Sequence, residues 1–521
     1  MVVHDENDST HVGVSDVNKE KNLPPSFDGE ETPRRASIEQ FQEKKFGVIS
    51  LLGMGYSISN TGMTCIGSLA ASLGNGGPVV FIWGQILVFF MALCVATSLG
   101  ELSSALPHAG GQYYWTAYLA PKRFKRKISY LVGLLSWGGA VVTAASGTLA
   151  IPQFVLGMVT LRDPDFVMKP WMIFVGFQIT NIVVFTFNLC ERLLPMFNLM
   201  SMSFSIGSMV TIFITLLVTT KEKQTGQTVF GEIINSSGWS NGVAFITALV
   251  GPNYGYACLD AVTHMAEEIP DPRRNIPKAL LATVIVGLCT GLPFMIGVMF
   301  CIGNVSSVVG TATGVPSLQL FFNSIGSTAG AIGLQSLILV VFIGAVYGVH
   351  TWQSRMAWSF ARDQGWPFSR TMSKLAPSPM NVPLVAHIWS CLWVAVLGCV
   401  YLGSSVAFNS FISGGILLQY ISYSICIALL LIYGRDKLAH GPFWLPKWGL
   451  FANIMVLLWT SVTFIFYCFP VTYPVKAASM NYVSCVIVFM FLYAGIYWVA
   501  VGKKSYTLPR ATALTEEVEG I

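Results

Sequence analysis

The run Gly53-Met54-Gly55-Tyr56-Ser57-Ile58-Ser59-Asn60-Thr61-Gly62 sets glycines, hydroxyls and an amide into the middle of an otherwise apolar segment. Much later in the chain, Gly251-Pro252-Asn253-Tyr254-Gly255-Tyr256 does the same. Glycine and proline weaken a helical ladder, and main-chain groups freed inside a bilayer persist only where they line a cavity, to be satisfied by cargo or water. Half-helix N-termini then present N–H groups to anions, and half-helix C-termini present carbonyls to cations. Tyr56, Tyr254 and Tyr256 border the two runs. An aromatic face attracts a desolvated ammonium group by about 2 kcal/mol or more. The chemistry suggested is the binding of a small polar or cationic solute. Close packing of small residues between helices and ordinary aromatic packing would use the same side chains.

Acidic residues sharpen that picture. An ionisable group within a membrane is costly and is by default a functional candidate. Asp260 lies about one turn beyond the second run and four residues before His264, so the two share a helix face. The pair suits a proton relay or a cation-attracting site; a hydrogen-bonded brace is the plainer use. Glu101 precedes Pro107-His108-Ala109-Gly110-Gly111-Gln112-Tyr113, and Glu267-Glu268-Ile269-Pro270 precedes Pro272-Arg273-Arg274-Asn275-Ile276-Pro277. Ser354-Arg355 leads into Ala361-Arg362-Asp363-Gln364-Gly365-Trp366-Pro367. Opposite charges gathered at one mouth of a pore would form a gate that breaks as that mouth opens. Helix capping and loop anchoring are the alternative.

The elements that must hold these groups are helices in lipid. Hydrophobic residues make up 53% of the 521-residue chain and charged residues 11%, less than half the usual share in a soluble domain. Twelve apolar runs begin near Gly47, Pro78, Lys127, Trp171, Met196, Gly242, Pro277, Thr328, Val382, Phe408, Gly449 and Asn481. Each suffices for the roughly 20 helical residues that cross a bilayer core. They are continuously apolar rather than alternating, which excludes a β-barrel. Residues 1–45 are expected to be a disordered tail, 46–502 the twelve-helix domain, and 503–521 a second short tail. No cleavable signal peptide is expected.

Lys and Arg set the orientation. Of 30 such residues, only Arg162, Lys169, Lys221, Lys223 and Lys476 fall in loops of one face. The rest, including both tails, lie on the other, which places both termini in the cytoplasm. The sequons at Asn235 and Asn304 then lie outside, where glycosylation needs them. Eleven cysteines without a CxxC pair read as small buried hydrophobes. The basic clusters are short and flank spans, so no nucleic-acid partner is expected. No nucleophile–base pair, metal-ligand cluster or phosphate loop stands out, so no enzyme activity, metal or cofactor is expected.

The runs SLGELSSALPHAGGQYY (Ser98–Tyr114), CLDAVTHMAEEIPDPRRNIP (Cys258–Pro277) and SRMAWSFARDQGWP (Ser354–Pro367) resemble, in order and spacing, the amino acid–polyamine–organocation permeases. Within that superfamily the chain looks most like the fungal amino acid/choline transporters, in particular their choline permease branch. The resemblance implies an all-α integral membrane protein with a LeuT-type fold: a five-plus-five inverted repeat, broken helices 1 and 6, and two extra helices. It implies substrate contact at Ser57, Ile58, Ser59, Asn60, Thr61 and Gly62, and at Asn253, Tyr254, Gly255 and Tyr256, with Tyr56 beside them.

Permeases of this superfamily usually receive an α-carboxylate on a glycine-rich triplet; here Ser57-Ile58-Ser59-Asn60-Thr61 is bulkier and more polar. That departure favours choline, which has no carboxylate. The expectation is a plasma-membrane secondary importer of choline or a related amine or amino acid, driven by a proton or another cation. Glu101, Asp260, His264, Glu267 and Arg355 would serve coupling and gating. A γ-aminobutyrate or amino acid permease, or a non-transporting nutrient receptor, is the alternative.

Overall fold

A computed structural model describes residues 48–190, 194–377, 380–476 and 480–509. The expected tail 1–45 and residues 510–521 lie outside the described residues. Among the described residues, eleven stretches are long and apolar enough to cross a membrane. They are span 2 (Val80–Ala105), span 3 (Lys125–Arg162), span 4 (Pro170–Phe187), span 5 (Leu194–Thr219), span 6 (Asn241–Met265) and span 7 (Pro272–Phe300). Span 8 (Thr328–Arg362), span 9 (Leu384–Gly403), span 10 (Ser405–Tyr433), span 11 (Pro446–Phe466) and span 12 (Val483–Ser505) follow. The remaining expected span, span 1, consists of two shorter helices, Val48–Ser59 and Thr61–Gly67. The protein is thus a multi-pass, predominantly helical membrane protein of twelve spans with the first and sixth broken, the LeuT-type arrangement.

Local sequence explains the boundaries. Pro170, Pro272 and Pro446 open spans 4, 7 and 11, at first-turn positions where the missing N–H is not needed. The Ser327 hydroxyl accepts from Gly330 N and caps span 8. That helix continues to Arg362, so Arg355 and Arg362 sit on its last two turns rather than in the loop their charge suggested. Ser354–Arg362 contains neither Gly nor Pro, and the ladder stops only at Gln364, which is left-handed with φ 59°. Besides helices there is one two-stranded ladder, Asn75–Gly76 against Ile234–Asn235, antiparallel.

Packing sorts the spans by depth. Span 3 is enclosed along nearly its whole apolar length, whereas spans 4, 5 and 12 leave most of theirs uncovered. The uncovered side chains are Ile179, Ile182, Val218, Ile496, Val499 and their like, the residues lipid would solvate. Spans 2 and 7, 3 and 10, and 3 and 8 make the most extensive contacts. The helix of span 12 runs on through Lys503–Ser505, into the segment expected to be a tail. Tyr506 beyond it is buried, with its hydroxyl 2.7 Å from Ser129 Oγ. Arg126 donates to the carbonyls of Tyr506 (2.7 Å) and Gly502 (3.1 Å).

Candidate substrate site

The break in span 1 is tighter than its glycine-rich sequence suggests. Gly53–Ser59 is helical, and a single residue, Asn60 in the left-handed region (φ 42°, ψ 54°), separates the two halves. Asparagine tolerates that conformation better than most residues. The Asn60 carboxamide oxygen accepts from Ser205 Oγ of span 5 at 2.7 Å. Ser57 and Ser59 donate back to the carbonyls of Met54 and Gly55, the local bonding hydroxyls favour in bent helices. Tyr56 is fully buried with its hydroxyl 3.1 Å from Thr290 Oγ1 of span 7. Ile58 fills the space left by Gly348 of span 8, and Gly62 packs on Gly291 of span 7 and Met209 of span 5.

Span 6 is broken more fully. Its helix ends at Tyr254, Gly255–Cys258 is irregular, Cys258 is left-handed (φ 64°), and a 3-10 turn covers Leu259–Met265. The Thr61 hydroxyl donates to the Gly255 carbonyl at 2.9 Å, which joins the two breaks directly. Cys258 N donates to Gln419 Oε1 of span 10 at 2.9 Å, and Ser59 O accepts from Thr64 Oγ1 at 2.9 Å. Side chains of the protein therefore satisfy main-chain groups at both breaks that the sequence suggested would be left for cargo or water. Asn253 is held between two tyrosines, donating to Tyr467 Oη (2.8 Å) and accepting from Tyr420 Oη (2.7 Å).

A cavity of about 460 Å³ lies between spans 1, 3, 6, 8, 10 and 11, within the usual range for small-molecule sites. Phe154, Tyr254, Phe342, Phe466, Tyr467 and Phe469 line it, with Ser146, Gln153, Asn75 and Asn481 as polar points. No Asp, Glu, Lys, Arg or His is among its lining residues. Tyr254 bonds Ser146 of span 3 at 2.8 Å through its hydroxyl. Gly67 is needed here, since a Cβ would strike the Phe342 ring, which stands edge-on to Phe154 at 5.0 Å.

Of the residues expected at the substrate site, Tyr254 lines this cavity. Tyr56–Gly62, Asn253, Gly255 and Tyr256 lie in the packed region around the breaks. Ser146, Phe154, Phe342 and Tyr467 were not expected; each sits in an unremarkable apolar run, and only folding brings them together.

Away from the cavity, three buried ion pairs join the ends of spans 2, 6 and 8 to their neighbours. Glu101 accepts from both Arg435 Nη atoms (2.8 and 3.0 Å) and from Leu445 N (2.9 Å). Glu267 is bidentate with Arg362 (2.8 and 2.7 Å), and Arg355 donates to both Glu268 oxygens (2.8 and 3.3 Å). The glutamates at the end of span 6 are thus tied to span 8, and Arg355 pairs with Glu268 rather than Glu267. Burial alone would raise the Glu267 carboxyl, but the Arg362 guanidinium outweighs it and holds the group below the usual carboxylate range. The pair stays ionised at neutral pH, and its contribution is lost only as pH falls through that lowered value.

Gly449 is what lets Glu101 and Arg435 meet, because a Cβ there would overlap both side chains. Gly449→Ala should destabilise the protein by about 1–3 kcal/mol, read as a lower unfolding temperature in detergent. An unchanged unfolding temperature would mean that the pair has slack.

Asp260 and His264 meet, with Oδ2 3.4 Å from Nε2, but on a 3-10 turn rather than on the α-helical face that their spacing suggested. Gln112 Nε2 donates to Oδ2 and the Tyr423 hydroxyl to Oδ1, both at 2.6 Å. Neither partner was expected, although Gln419 and Tyr423 inside the apolar run of span 10 were a signal. Asn304 is exposed and caps a short helix, whereas Asn235 is half-buried with its carboxamide engaged by Ser237, Trp239 and Asn241.

Known proteins give the fold a family. The amino acid permease family model matches residues 46–492. The choline transporter of Saccharomyces cerevisiae is 40% identical over 505 residues, covering 96% of this chain and 89% of the relative. A transmembrane transporter of Metarhizium robertsii, named swnT, is 42% identical over 467 residues, covering 89% and 92%. The GABA-specific permease of Saccharomyces cerevisiae is 28% identical, covering 92% and 85%. A family model that spans the helical body, with two relatives at 40% and 42% identity over most of its length, places this chain in the amino acid permease family.

Proposed function

We propose that this permease imports choline or a closely related small amine across the plasma membrane, with the proton gradient as the driving force. The observation that carries the reading is the cavity: six aromatic rings and neutral polar groups with no charged side chain. A quaternary ammonium group needs no counter-charge in such a site, because the ring faces supply cation–π attraction. A substrate carboxylate would have no Lys or Arg to meet there. The 40% identity to a choline transporter over nearly the whole chain supports the same solute.

The Lys and Arg distribution supports a cytoplasmic position for both termini and for the face closed by the ion pairs. The cavity then opens outward, ready to load. Ser57–Gly62 and Asn253–Tyr256 would be reached as substrate moves inward from the cavity.

The test is uptake of labelled choline into vesicles with an imposed pH gradient, in competition with unlabelled choline, γ-aminobutyrate and common amino acids. Choline should accumulate, and only unlabelled choline or close amines should compete. Uptake of γ-aminobutyrate in place of choline would overturn the solute, and specific binding without uptake would favour a receptor.

A further inference from the structure

We propose that Asp260 and His264 together bind one proton while the ion-paired face is closed, and that losing it loosens the hold of span 6 on the 108–112 segment at Ala109. The inference rests on the transport reading only for its purpose; the geometry stands without it. His264 Nδ1 lies 2.8 Å from the Ala109 carbonyl oxygen. A carbonyl accepts and never donates, so Nδ1 carries the hydrogen. In a neutral imidazole Nε2 is then a bare acceptor. It faces Asp260 Oδ2 at 3.4 Å, and an ionised carboxylate oxygen is also an acceptor. Two lone pairs opposed in a buried site repel, whereas one added proton, on either atom, turns the contact into a hydrogen bond.

Both groups hold the same short segment. Gln112 donates to Asp260 Oδ2, and Ala109 accepts from His264. Gly111, with φ +51°, lies so close to the imidazole that a Cβ would meet its Cε1 at 2.7 Å. The ring cannot withdraw without moving the segment. The Ala109 backbone also lies beside the Glu267 carboxylate, so the segment reaches the Glu267–Arg362 pair. Release of the proton leaves the imidazole one hydrogen; the ionised Asp260 carboxylate is the stronger acceptor and draws it to Nε2, so Nδ1 turns a lone pair on the Ala109 carbonyl, and the contact that yields is the one to Ala109. Proton occupancy and closure of this face are thereby linked.

The ionisable surroundings leave the pair free to play this part. Tyr423 of span 10 and Cys258 flank the Asp260 carboxyl. Span 1 contributes only Tyr56 in its nearer half, and span 2 contributes Glu101, already paired with Arg435. Span 8 brings Arg355 and Arg362, paired with Glu268 and Glu267, and span 7 brings Arg273, Arg274 and Lys278 in its first turns. His108 stacks on Tyr114 at 4.1 Å. Among the described residues, the ion pair that Asp260 makes is with His264.

Cys426 of span 10 reports on the segment, because its buried thiol is 3.1 Å from the Gln112 carbonyl. The purified full-length protein is treated with N-ethylmaleimide from pH 5.5 to 8.5, and labelling of Cys426 is quantified by mass spectrometry. The carboxamide introduced by Asp260→Asn can donate to neutral His264, and to Gln112 once that amide turns its otherwise unpartnered Oε1 towards it, so this variant should keep the segment bound at every pH. The rate in wild type relative to Asp260→Asn should be near one at pH 5.5 and rise at least about tenfold by pH 8.5. This comparison cancels the thiol's own pH dependence.

A ratio that does not change with pH overturns the proposal. If the variant fails to fold, the wild-type ratio of Cys426 to the buried Cys65 decides: a rise with pH supports the proposal and a flat ratio overturns it. In vesicles, Asp260→Asn should lose gradient-driven choline accumulation by about tenfold or more while retaining choline exchange. Retained accumulation overturns the coupling role. Failure of wild type to carry choline at all would instead overturn the solute and leave the labelling result standing.

Discussion

Arg362→Ala should cut the initial rate of labelled choline uptake by about a hundredfold or more, and exchanging the charges should restore part of it. Arg362 and Glu267 are both largely buried, joined by two short bonds, with the guanidinium over the Trp358 ring at 4.2 Å. Removing one partner of such a pair leaves the other charge buried and uncompensated, at about 3–5 kcal/mol. Each 1.4 kcal/mol is a factor of ten, so the closed face loses about two to three and a half orders of magnitude in population.

A carrier that cannot close this face cannot return to load from the other. Glu267→Arg combined with Arg362→Glu re-forms an ion pair across the same gap and should recover at least about tenfold over either single change, the non-additivity expected of contacting residues. The measurement is initial uptake, normalised to the amount of protein at the membrane. A fall of less than about threefold in Arg362→Ala would remove the pair from the gate and leave it as a helix brace.

The second large effect is expected at the cavity. Tyr254 contributes an aromatic face and a hydroxyl bonded to Ser146 at 2.8 Å. Tyr254→Phe keeps the face and loses one hydrogen bond, worth about 1 kcal/mol; the KM for choline should rise no more than about fivefold. Tyr254→Ala also loses cation–π attraction worth about 2 kcal/mol, and KM should rise by about thirtyfold or more. Equal effects of the two substitutions would show that the hydroxyl, not the ring, recognises substrate, and the aromatic argument for an ammonium cargo would fall.

Both expectations depend on contacts of different legibility. Glu101, Glu267 and Glu268 stood out in the sequence because carboxylates are rare in apolar runs. Their partners did not: Arg435 is 334 residues from Glu101, and Arg362 is 95 from Glu267. Nothing local ties a glutamate to one arginine among several of similar charge. Asp260 and His264 were legible as a pair because they are only four residues apart, although the segment proved to be a 3-10 turn, in which Ala109 and Gln112 fix their meeting. Gln112 and Tyr423, which complete the site from other elements, were not.

By itself the sequence determined the solvent, the number of spans and the places where two of them break. Each follows from short-range physics: apolar length, the cost of Lys and Arg in lipid, and the weakness of a helix at Gly, Pro and Asn. Tertiary structure alone decided that Asn60 is the single non-helical residue of span 1 and that Thr61 satisfies Gly255. It also decided that the cavity is walled by Phe154, Phe342 and Tyr467, with Tyr254 alone from the two polar runs. A cavity is the space that packing leaves between surfaces remote in sequence, and the periodicity of any one helix carries no record of the helix it will face.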